Sequence, residues 1–301
     1  MSNLTLTDAT PDTAIHTRAV LVSLSIGTWS ARKYDRAATA QLIAHYAATR
    51  DAARVNKALL PADAPAYKAI TQAATAFRAA HYSKTLAWAD EGGWRLLPTA
   101  QYLDYTQWFR NAQRQWEQLK DALEAEYPQL AADAPARLNG LYREADYPTT
   151  ADVLSRFSLG VQFGPVPAAG DIRVDLGADQ IATIAASITD RVEAATRIAM
   201  RDAWGRLHEV VAHMAERLSD PKAIFRDSLV SNAVEVCDAL QRLNITGDPQ
   251  LEAMRARVAA ELTAHTPDTL RDAPIARQDT ARKADAIMAA MGAFYSPDGG
   301  R

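Results

Sequence analysis

The sequence predicts a mainly α-helical fold with a small antiparallel β-sheet, an α+β arrangement whose long C-terminal helices pack as a bundle. Three observations lead to this prediction. Apolar residues recur at helical spacing over most of the chain. Two Asp-Pro pairs, which are typical helix start signals, separate such stretches in the C-terminal region. Three short stretches instead alternate apolar and polar residues, as half-buried strands do, and they lie at residues 20–26, 157–163 and 171–176.

The same patterns divide the chain into four parts. Residues 1–14 are polar and are expected to form a flexible arm. Residues 15–177 contain all three predicted strands and are expected to form a helical domain with the small sheet. Residues 178–295 are expected to form the C-terminal helical region, and residues 296–301 a tail.

Two helices are predicted after the first strand. The first runs from Ser30 to Leu60, because Ser30 is a suitable N-cap and Pro61 ends the apolar pattern. The second starts near Pro65 and runs through Leu86, before a Gly-Gly pair. The chain between the first two predicted strands is therefore expected to be helical almost throughout.

The cleanest helical period lies between Pro98 and Pro128. Its apolar residues step alternately by three and four, which is the spacing of a heptad seam. The seam is short, so packing inside a bundle is favoured over an autonomous coiled coil. Its members are Tyr102, Tyr105, Phe109, Ala112, Trp116, Leu119 and Leu123.

The loop between the second and third predicted strands contains two prolines and two glycines. This composition favours a longer, shaped loop over a two-residue turn. Two strands alone are marginally stable, so we expect the first strand to join them in one sheet. The loop is then predicted to project and to offer a partner-binding site, which consists of Gly164, Pro165, Val166, Pro167 and Gly170.

The C-terminal region opens with helical periodicity that continues for about 40 residues from Ala178. Gly205 is the position at which this helix could bend. Asp220-Pro221 and Asp248-Pro249 each combine a capping residue with Pro in the first turn, which predicts two further helix starts. A last helix is predicted over Gln278–Phe294.

Composition limits the compartment and the class of protein. The 301 residues carry a formal net charge of −3 and a single cysteine. One cysteine cannot form an internal disulfide, which fits a reducing compartment. The start of the chain lacks the pattern of a signal peptide, and no apolar run is long enough to span a membrane. A cytoplasmic protein without a membrane is therefore expected.

No catalytic signature is found, so we expect a non-enzymatic protein with no catalytic residues, cofactor or metal. His208 and His213 are five positions apart, whereas a zinc-protease helix needs its two histidines four apart on one face. Cys237 has apolar neighbours and is expected to be a buried, inert thiol. Asp171 and Asp175 flank a predicted strand, where the solvent side of an edge strand is favoured over a metal site. A hydrolase or metalloenzyme remains a third alternative.

A basic stretch near the start of the chain is the main candidate site. On the predicted first helix, Arg50, Arg54 and Lys57 share one face, and tyrosines lie among the cations. Cations interleaved with aromatic rings suit single-stranded nucleic acid, although a solvated helix face gives the same pattern. The predicted contacts are Arg32, Lys33, Arg36, Arg50, Arg54 and Lys57, extended by Arg78 and Lys84 on the next helix.

Four stretches carry a resemblance to known sequences: Leu24–Asp35, Asn56–Pro61, Asp146–Pro148, and Phe157–Leu176 with its Gly-Pro-Val-Pro centre. With these stretches the chain resembles an uncharacterised family of mostly helical proteins encoded by phages, prophages and integrative elements. The resemblance implies a mobile-element origin in a bacterial host. It also implies neighbouring genes for recombination proteins, a MoxR-like AAA+ ATPase or a von Willebrand-type protein. It supplies no catalytic residues.

Two functions from different classes are therefore expected. The leading one is an accessory protein of phage or mobile-element DNA metabolism that binds single-stranded nucleic acid through the basic helix, as a monomer or an oligomer. The alternative is a protein-interaction adaptor or self-assembling scaffold without nucleic-acid binding, such as a partner of an AAA+ ATPase or an inhibitor of a host defence system. The long C-terminal helix and the uneven charge of the chain favour this alternative.

Overall fold

A computed structural model of the chain describes residues 11–89, 93–172 and 176–295. Within these ranges it confirms a mainly α-helical fold with a small antiparallel sheet. The elements are α1 (Pro11–Arg18), β1 (Ala19–Gly27), β2 (Arg32–Tyr34), α2 (Arg36–His45), β3 (Asn56–Ala58), α3 (Pro65–Lys84), β4 (Leu86–Ala87), β5 (Trp94–Pro98), α4 (Tyr102–Leu138), α5 (Thr150–Ser155), β6 (Ser158–Gly164), α6 (Ala178–Ser219), α7 (Ser228–Leu243), α8 (Pro249–Glu261), α9 (Pro267–Asp272) and α10 (Pro274–Met291).

The chain forms two compact units, each built from separate stretches of sequence. Unit one contains the described residues up to Ser23, residues Tyr82–Tyr105 and the described residues from Gln162 onward. Unit two contains Leu24–His81 and Thr106–Val161. These boundaries differ from the division predicted at residue 177. Of the predicted arm, residues 1–10 lie outside the described residues and residues 11–14 belong to α1; the predicted tail also lies outside them.

The larger sheet has the strand order β4-β5-β1-β6. Strand β1 pairs with β5 in antiparallel register from Ala19 opposite Pro98 to Ser23 opposite Trp94, and β4 also pairs antiparallel with β5. The strands predicted at 20–26 and 157–163 are confirmed as β1 and β6. Strands β4 and β5 were not predicted, because β4 has two residues and the last three residues of β5 are all buried, so neither shows alternation.

The third predicted strand, 171–176, is not observed as a strand in the part of it that the structure describes. Asp171 ends a short 3₁₀ turn that begins at Ala169. Residues 173–175, and with them Asp175 of the candidate acidic patch, lie outside the described residues.

The core of unit one is formed mainly by α6, α7, α8 and α10. Helix α6 is a single element of 42 residues and continues through Gly205. Asp248 caps α8 as predicted, since its carboxylate accepts from the Gln250 and Leu251 amides. The start predicted at Asp220 is wrong, because that carboxylate accepts from the Lys222 amide at 2.9 Å and closes a turn, so that α7 begins at Ser228.

The core of unit two packs α3 against α4 around a group of aromatic side chains. The predicted seam of α4 is buried at Phe109, Ala112, Trp116 and Leu123. The predicted end before Pro128 is wrong, since α4 continues through this proline and a second one to Leu138. Both prolines are exposed, so water can satisfy the carbonyl groups that lose their helical partners.

Candidate nucleic-acid interface

The helix predicted from Ser30 to Leu60 is wrong. These residues instead form β2, α2, a loop at 46–55 and β3, and β2 pairs antiparallel with β3 as a separate two-stranded ribbon. Ala47 has a φ of 51° directly after the end of α2, so the chain turns away from the helical path there. We call residues 32–58 the basic module.

Asp35 organises the start of α2 inside the module. Its Oδ1 accepts a hydrogen bond of 2.9 Å from the Ala38 amide, the arrangement of an N-cap. Its carbonyl oxygen accepts from the Thr39 hydroxyl at 2.7 Å, and that hydroxyl accepts from the Val55 amide at 3.0 Å. The module is thus closed by polar contacts between α2 and the chain just before β3.

Five of the predicted contact residues remain exposed in the module: Arg32, Lys33, Arg36, Arg50 and Arg54. They lie on β2, at the start of α2 and in the loop at 46–55, and not along one helical face. Among the described residues, none of the five has an ion-pair partner. The module holds six basic and two acidic side chains in total, so its surface is strongly cationic.

Two tyrosines are exposed beside these cations. The guanidinium of Arg54 lies 4.7 Å from the ring centroid of Tyr34, whose side chain is 39% exposed. Tyr46 is 71% exposed and meets the His45 ring edge-on, with the centroids 4.8 Å apart. An exposed tyrosine ring and a guanidinium plane are both surfaces on which an unpaired base can stack.

Lys57 is not a surface residue, which corrects the prediction that it contacts nucleic acid. Its side chain is 2% exposed, and three oxygens surround Nζ. Nζ lies 2.6 Å from Asp146 Oδ2 and 3.2 Å from Asp35 Oδ2, and it donates to the Leu141 carbonyl at 2.7 Å. Burial alone would lower the pKa of Lys57, but the bonds to Asp146 and Asp35 outweigh it and raise this pKa.

The pKa of Asp35 is lowered, first by the hydrogen bond from the Ala38 amide and then by the bond from Lys57. The positive charge of Arg143 acts in the same direction. Arg143 is exposed and was not predicted as a site residue. The only sequence signal for it is its position three residues before the Asp146–Pro148 stretch, which the structure places against Lys57.

The two predicted contacts on α3 fall into different units. Arg78 belongs to unit two, is exposed, and donates from Nη2 to the Ile26 carbonyl at 3.1 Å. Lys84 is the last residue of α3, is half-buried and belongs to unit one. The structure therefore keeps Arg78 with the basic module in unit two, and Lys84 is not part of that unit.

The predicted partner loop packs onto unit one and does not project, which corrects that prediction. Val166 is buried in the core of this unit, and its carbonyl oxygen lies 3.3 Å from His16 Nδ1. Gly164 lies against the Trp94 ring. Only Pro165, Pro167 and Gly170 are exposed, so a deletion would remove part of the core together with any partner contact.

The candidate catalytic residues have ordinary structural environments. His208 is half-buried and packs against Tyr295, whereas His213 is exposed, and both line an open groove beside α6. Cys237 is buried, and burial raises the pKa of its thiol to about 11. Within the ranges that the structure describes, no three His, Cys, Asp or Glu residues are grouped so that they could hold a metal ion.

Among the described helices, none combines the length and apolar content that crossing a membrane requires. Comparison of the chain with family models, curated proteins and solved structures gives no match. The resemblance to the phage and mobile-element family therefore stays a prediction. Three of the four stretches on which it rests contribute Asp35, Lys57 and Asp146, which meet at one buried cluster in unit two.

Proposed function

We propose that the protein binds single-stranded nucleic acid through the basic module, as a non-enzymatic accessory of phage or mobile-element DNA metabolism in the bacterial cytoplasm. One observation carries the proposal. Five cations without ion-pair partners among the described residues are grouped with two exposed tyrosines within 27 consecutive residues, 32–58. Cations pair with phosphates and release counterions, and the rings offer faces for bases.

The distribution of charge supports the same location. Unit two carries 14 basic and 11 acidic side chains, although the whole chain has a net charge of −3. The rest of the chain therefore has an excess of acidic over basic side chains. A polyanion is attracted to the cationic module more than to the rest of the chain.

The aromatic groups favour unpaired bases over a duplex. In a duplex the faces of the bases are stacked on one another and cannot reach Tyr46 or the Arg54–Tyr34 pair. In a single strand each base exposes a face that can stack on these groups. The module presents a short ribbon and a loop, and it lacks a long basic helix of the kind that enters the major groove.

The proposal is tested by fluorescence anisotropy with one labelled oligonucleotide, single-stranded and as a duplex, at low salt. We expect Arg50→Gln with Arg54→Gln to weaken single-strand binding by at least about tenfold. The matched control is Arg191→Gln with Arg197→Gln on the exposed face of α6, which removes the same charge from unit one. Equal losses in the two double variants would show that net charge, and not the module, drives binding.

Tyr46→Ala tests the stacking part of the proposal. We expect about a tenfold loss of affinity for the single strand, because one stacked base is removed. The affinity for the duplex should change little. A loss of the same size for both forms would contradict a role in stacking.

A protein-interaction adaptor or self-assembling scaffold is the second candidate, and the first third of α6 favours it. Ile181, Ile184 and Ile188 lie on one side of this helix, and Ile184 is exposed while the other two are half-buried. Such a stripe can be covered by a protein partner or a second copy of the chain. If light scattering shows an oligomer that Ile184→Glu dissociates, and no oligonucleotide binds, this candidate replaces the first.

A further inference from the structure

The buried cluster around Lys57 joins three separate stretches of unit two. Asp35 comes from the start of α2, Lys57 from β3, and Leu141 and Asp146 from the segment 139–147. The ammonium group donates to one carbonyl oxygen and forms ion pairs with two carboxylates, so three oxygens from two other stretches of the chain surround it. The cluster is therefore a fixed connection between the module and the segment 139–147.

Two further contacts support this connection without belonging to the cluster. The Tyr147 hydroxyl donates to the Leu59 carbonyl at 2.8 Å. Arg137 Nη2 donates to the carbonyl oxygens of Ala58 and Leu59. Both contacts end on the chain at or just after β3, so the chain on either side of Arg143 is held beside the end of the module.

Arg143 lies between the two positions of the segment that contact Lys57. Its side chain is exposed, and it has no ion-pair partner among the residues that the structure describes. Leu141 lies two residues before it and Asp146 three residues after it, and both contact Lys57, so the backbone of Arg143 is held beside the module. The two contacts bring Arg143 to β3 although it is about 85 positions along the chain from that strand.

We propose that Lys57 is a positioning residue that locks the segment 139–147 to the basic module, so that Arg143 becomes a sixth phosphate contact. This inference rests on the proposed binding of single-stranded nucleic acid. Lys57 cannot pair with a phosphate itself, because its ammonium group is buried and already forms ion pairs with two carboxylates. Its effect on binding passes through the placement of Arg143.

The test measures how the affinity for a single-stranded oligonucleotide changes with salt. Each lost phosphate contact lowers the slope of log K against log salt by about 0.7. We expect Lys57→Met and Arg143→Gln each to lower the slope by about 0.7, and we expect the slope of the double variant to fall by no more than that of either single variant. A fall of about 1.4 in the double variant would overturn the inference, because Lys57 would then act as a separate contact.

Lys33 is the matched control, since it lies directly opposite Lys57 in the β2–β3 ribbon and is exposed. Lys33→Met combined with Arg143→Gln should lose two contacts, about 1.4 in slope, because these two cations act independently. The difference between the two double variants identifies the positioning role. A purely structural role for Lys57 would leave the slope of the folded variant unchanged, which would also contradict the inference.

Amide hydrogen exchange separates this inference from the proposed function, because it needs no nucleic acid. Without the lock, exchange in the segment 139–147 should be at least about tenfold faster in Lys57→Met, while exchange in α7 stays as in the parent. If Lys57→Met does not fold, Asp146→Asn is a milder second variant. It should also accelerate amide exchange in the segment 139–147. Unchanged exchange in the segment would contradict the lock even if the protein binds nucleic acid.

Discussion

The basic module and helix α7 bury opposite kinds of side chain. Within the module the buried residues are Asp35, Thr39 and Lys57, all of them polar. Helix α7 buries only apolar or sulfur-containing side chains, namely Leu229, Val230, Ala233, Cys237, Leu240 and Leu243. One region is closed by directional bonds between polar groups and the other by burial of apolar surface. The module leaves most of its other residues at the surface, where they are available to a ligand.

A buried cation in each unit repeats this contrast. Lys57 is neutralised by two carboxylates. Arg277 in α10 instead donates to the carbonyl oxygens of Arg217, Leu218, Asp220 and Ala223, at and just after the end of α6. A guanidinium at this position satisfies the free carbonyl groups of a helix end and complements its dipole. The cation in unit one therefore closes a helix, whereas the cation in unit two connects distant segments.

The largest expected effect is the loss of Lys57. Lys57→Met leaves two carboxylates close together without their cation, so we expect the free energy of unfolding to fall by about 3–5 kcal/mol. Lys33→Met at the opposite, exposed position should change it by less than about 0.5 kcal/mol. Urea unfolding measures both variants. Similar values for the two would mean that the module does not depend on its polar core.

Leu240→Ala in α7 is the matching change in the apolar region. Leu240 is fully buried, and its truncation should cost about 3 kcal/mol through lost transfer free energy and a cavity. Val234→Ala on the exposed side of the same helix should lower the free energy of unfolding much less. If urea unfolding gives the same loss of stability for both variants, the burial pattern of α7 is wrong.

Arg277→Met should lower the free energy of unfolding by about 2 kcal/mol, because it removes the donor to four carbonyl groups at and just after the end of α6. Arg217→Met is the control, since its side chain is exposed in the last turn of the same helix. The free energy of unfolding of this control should be close to that of the parent protein. Thermal unfolding of the two variants decides whether the cap or merely positive charge stabilises the helix end.

The dependence on pH distinguishes the module from the apolar region. The folded protein lowers the pKa of Asp35 through the Ala38 amide and Lys57. This stabilisation is complete above the unfolded pKa of about 3.9 and is lost as the pH falls through the lower folded value. The unfolding midpoint of Asp35→Asn should therefore lie below that of the parent at neutral pH and approach it below about pH 4. A difference that stays constant down to pH 2 would contradict this origin.

The smallest expected effect is a gain. Ala47 follows α2 with a φ of 51°, which is unfavourable for a residue with a side chain. Ala47→Gly removes this strain and should stabilise the protein by about 0.5 kcal/mol after the larger chain entropy of glycine is subtracted. Ala44→Gly, inside α2, should instead destabilise by up to about 1 kcal/mol. A loss of stability for Ala47→Gly together with a gain for Ala44→Gly in urea unfolding would place the end of α2 elsewhere.

The sequence correctly predicts the helices and strands whose apolar residues recur on one face. The patterns of α3, α6 and α7 and the alternation of β1 and β6 are visible because one face of each element meets a core. The module has no such face, since its buried residues are polar, and the sequence of its ribbon therefore predicts a helix instead. The exposed Pro128 shows the opposite error, in which a strong local stop signal is overridden by packing along the rest of α4.

The candidate site was predicted in part for the same reason. Composition shows that residues 32–58 are basic, but it does not show which cation is buried. The burial of Lys57 and the position of Arg143 depend on contacts with Leu141 and Asp146, more than 80 positions along the chain. No periodicity within the module carries that information.

The most direct test of the account is the salt dependence of single-strand binding by the unmodified protein and by a variant with Gln at Arg32, Lys33, Arg36, Arg50 and Arg54. The parent should bind at about 50 mM salt with a slope of log K against log salt near −3.5, from five contacts of about 0.7 each, or about −4 with Arg143. The substituted protein should fold and lose nearly all of this slope. Absence of binding by the parent at this salt concentration, or an unchanged slope in the variant, would contradict the central claim that the basic module binds nucleic acid.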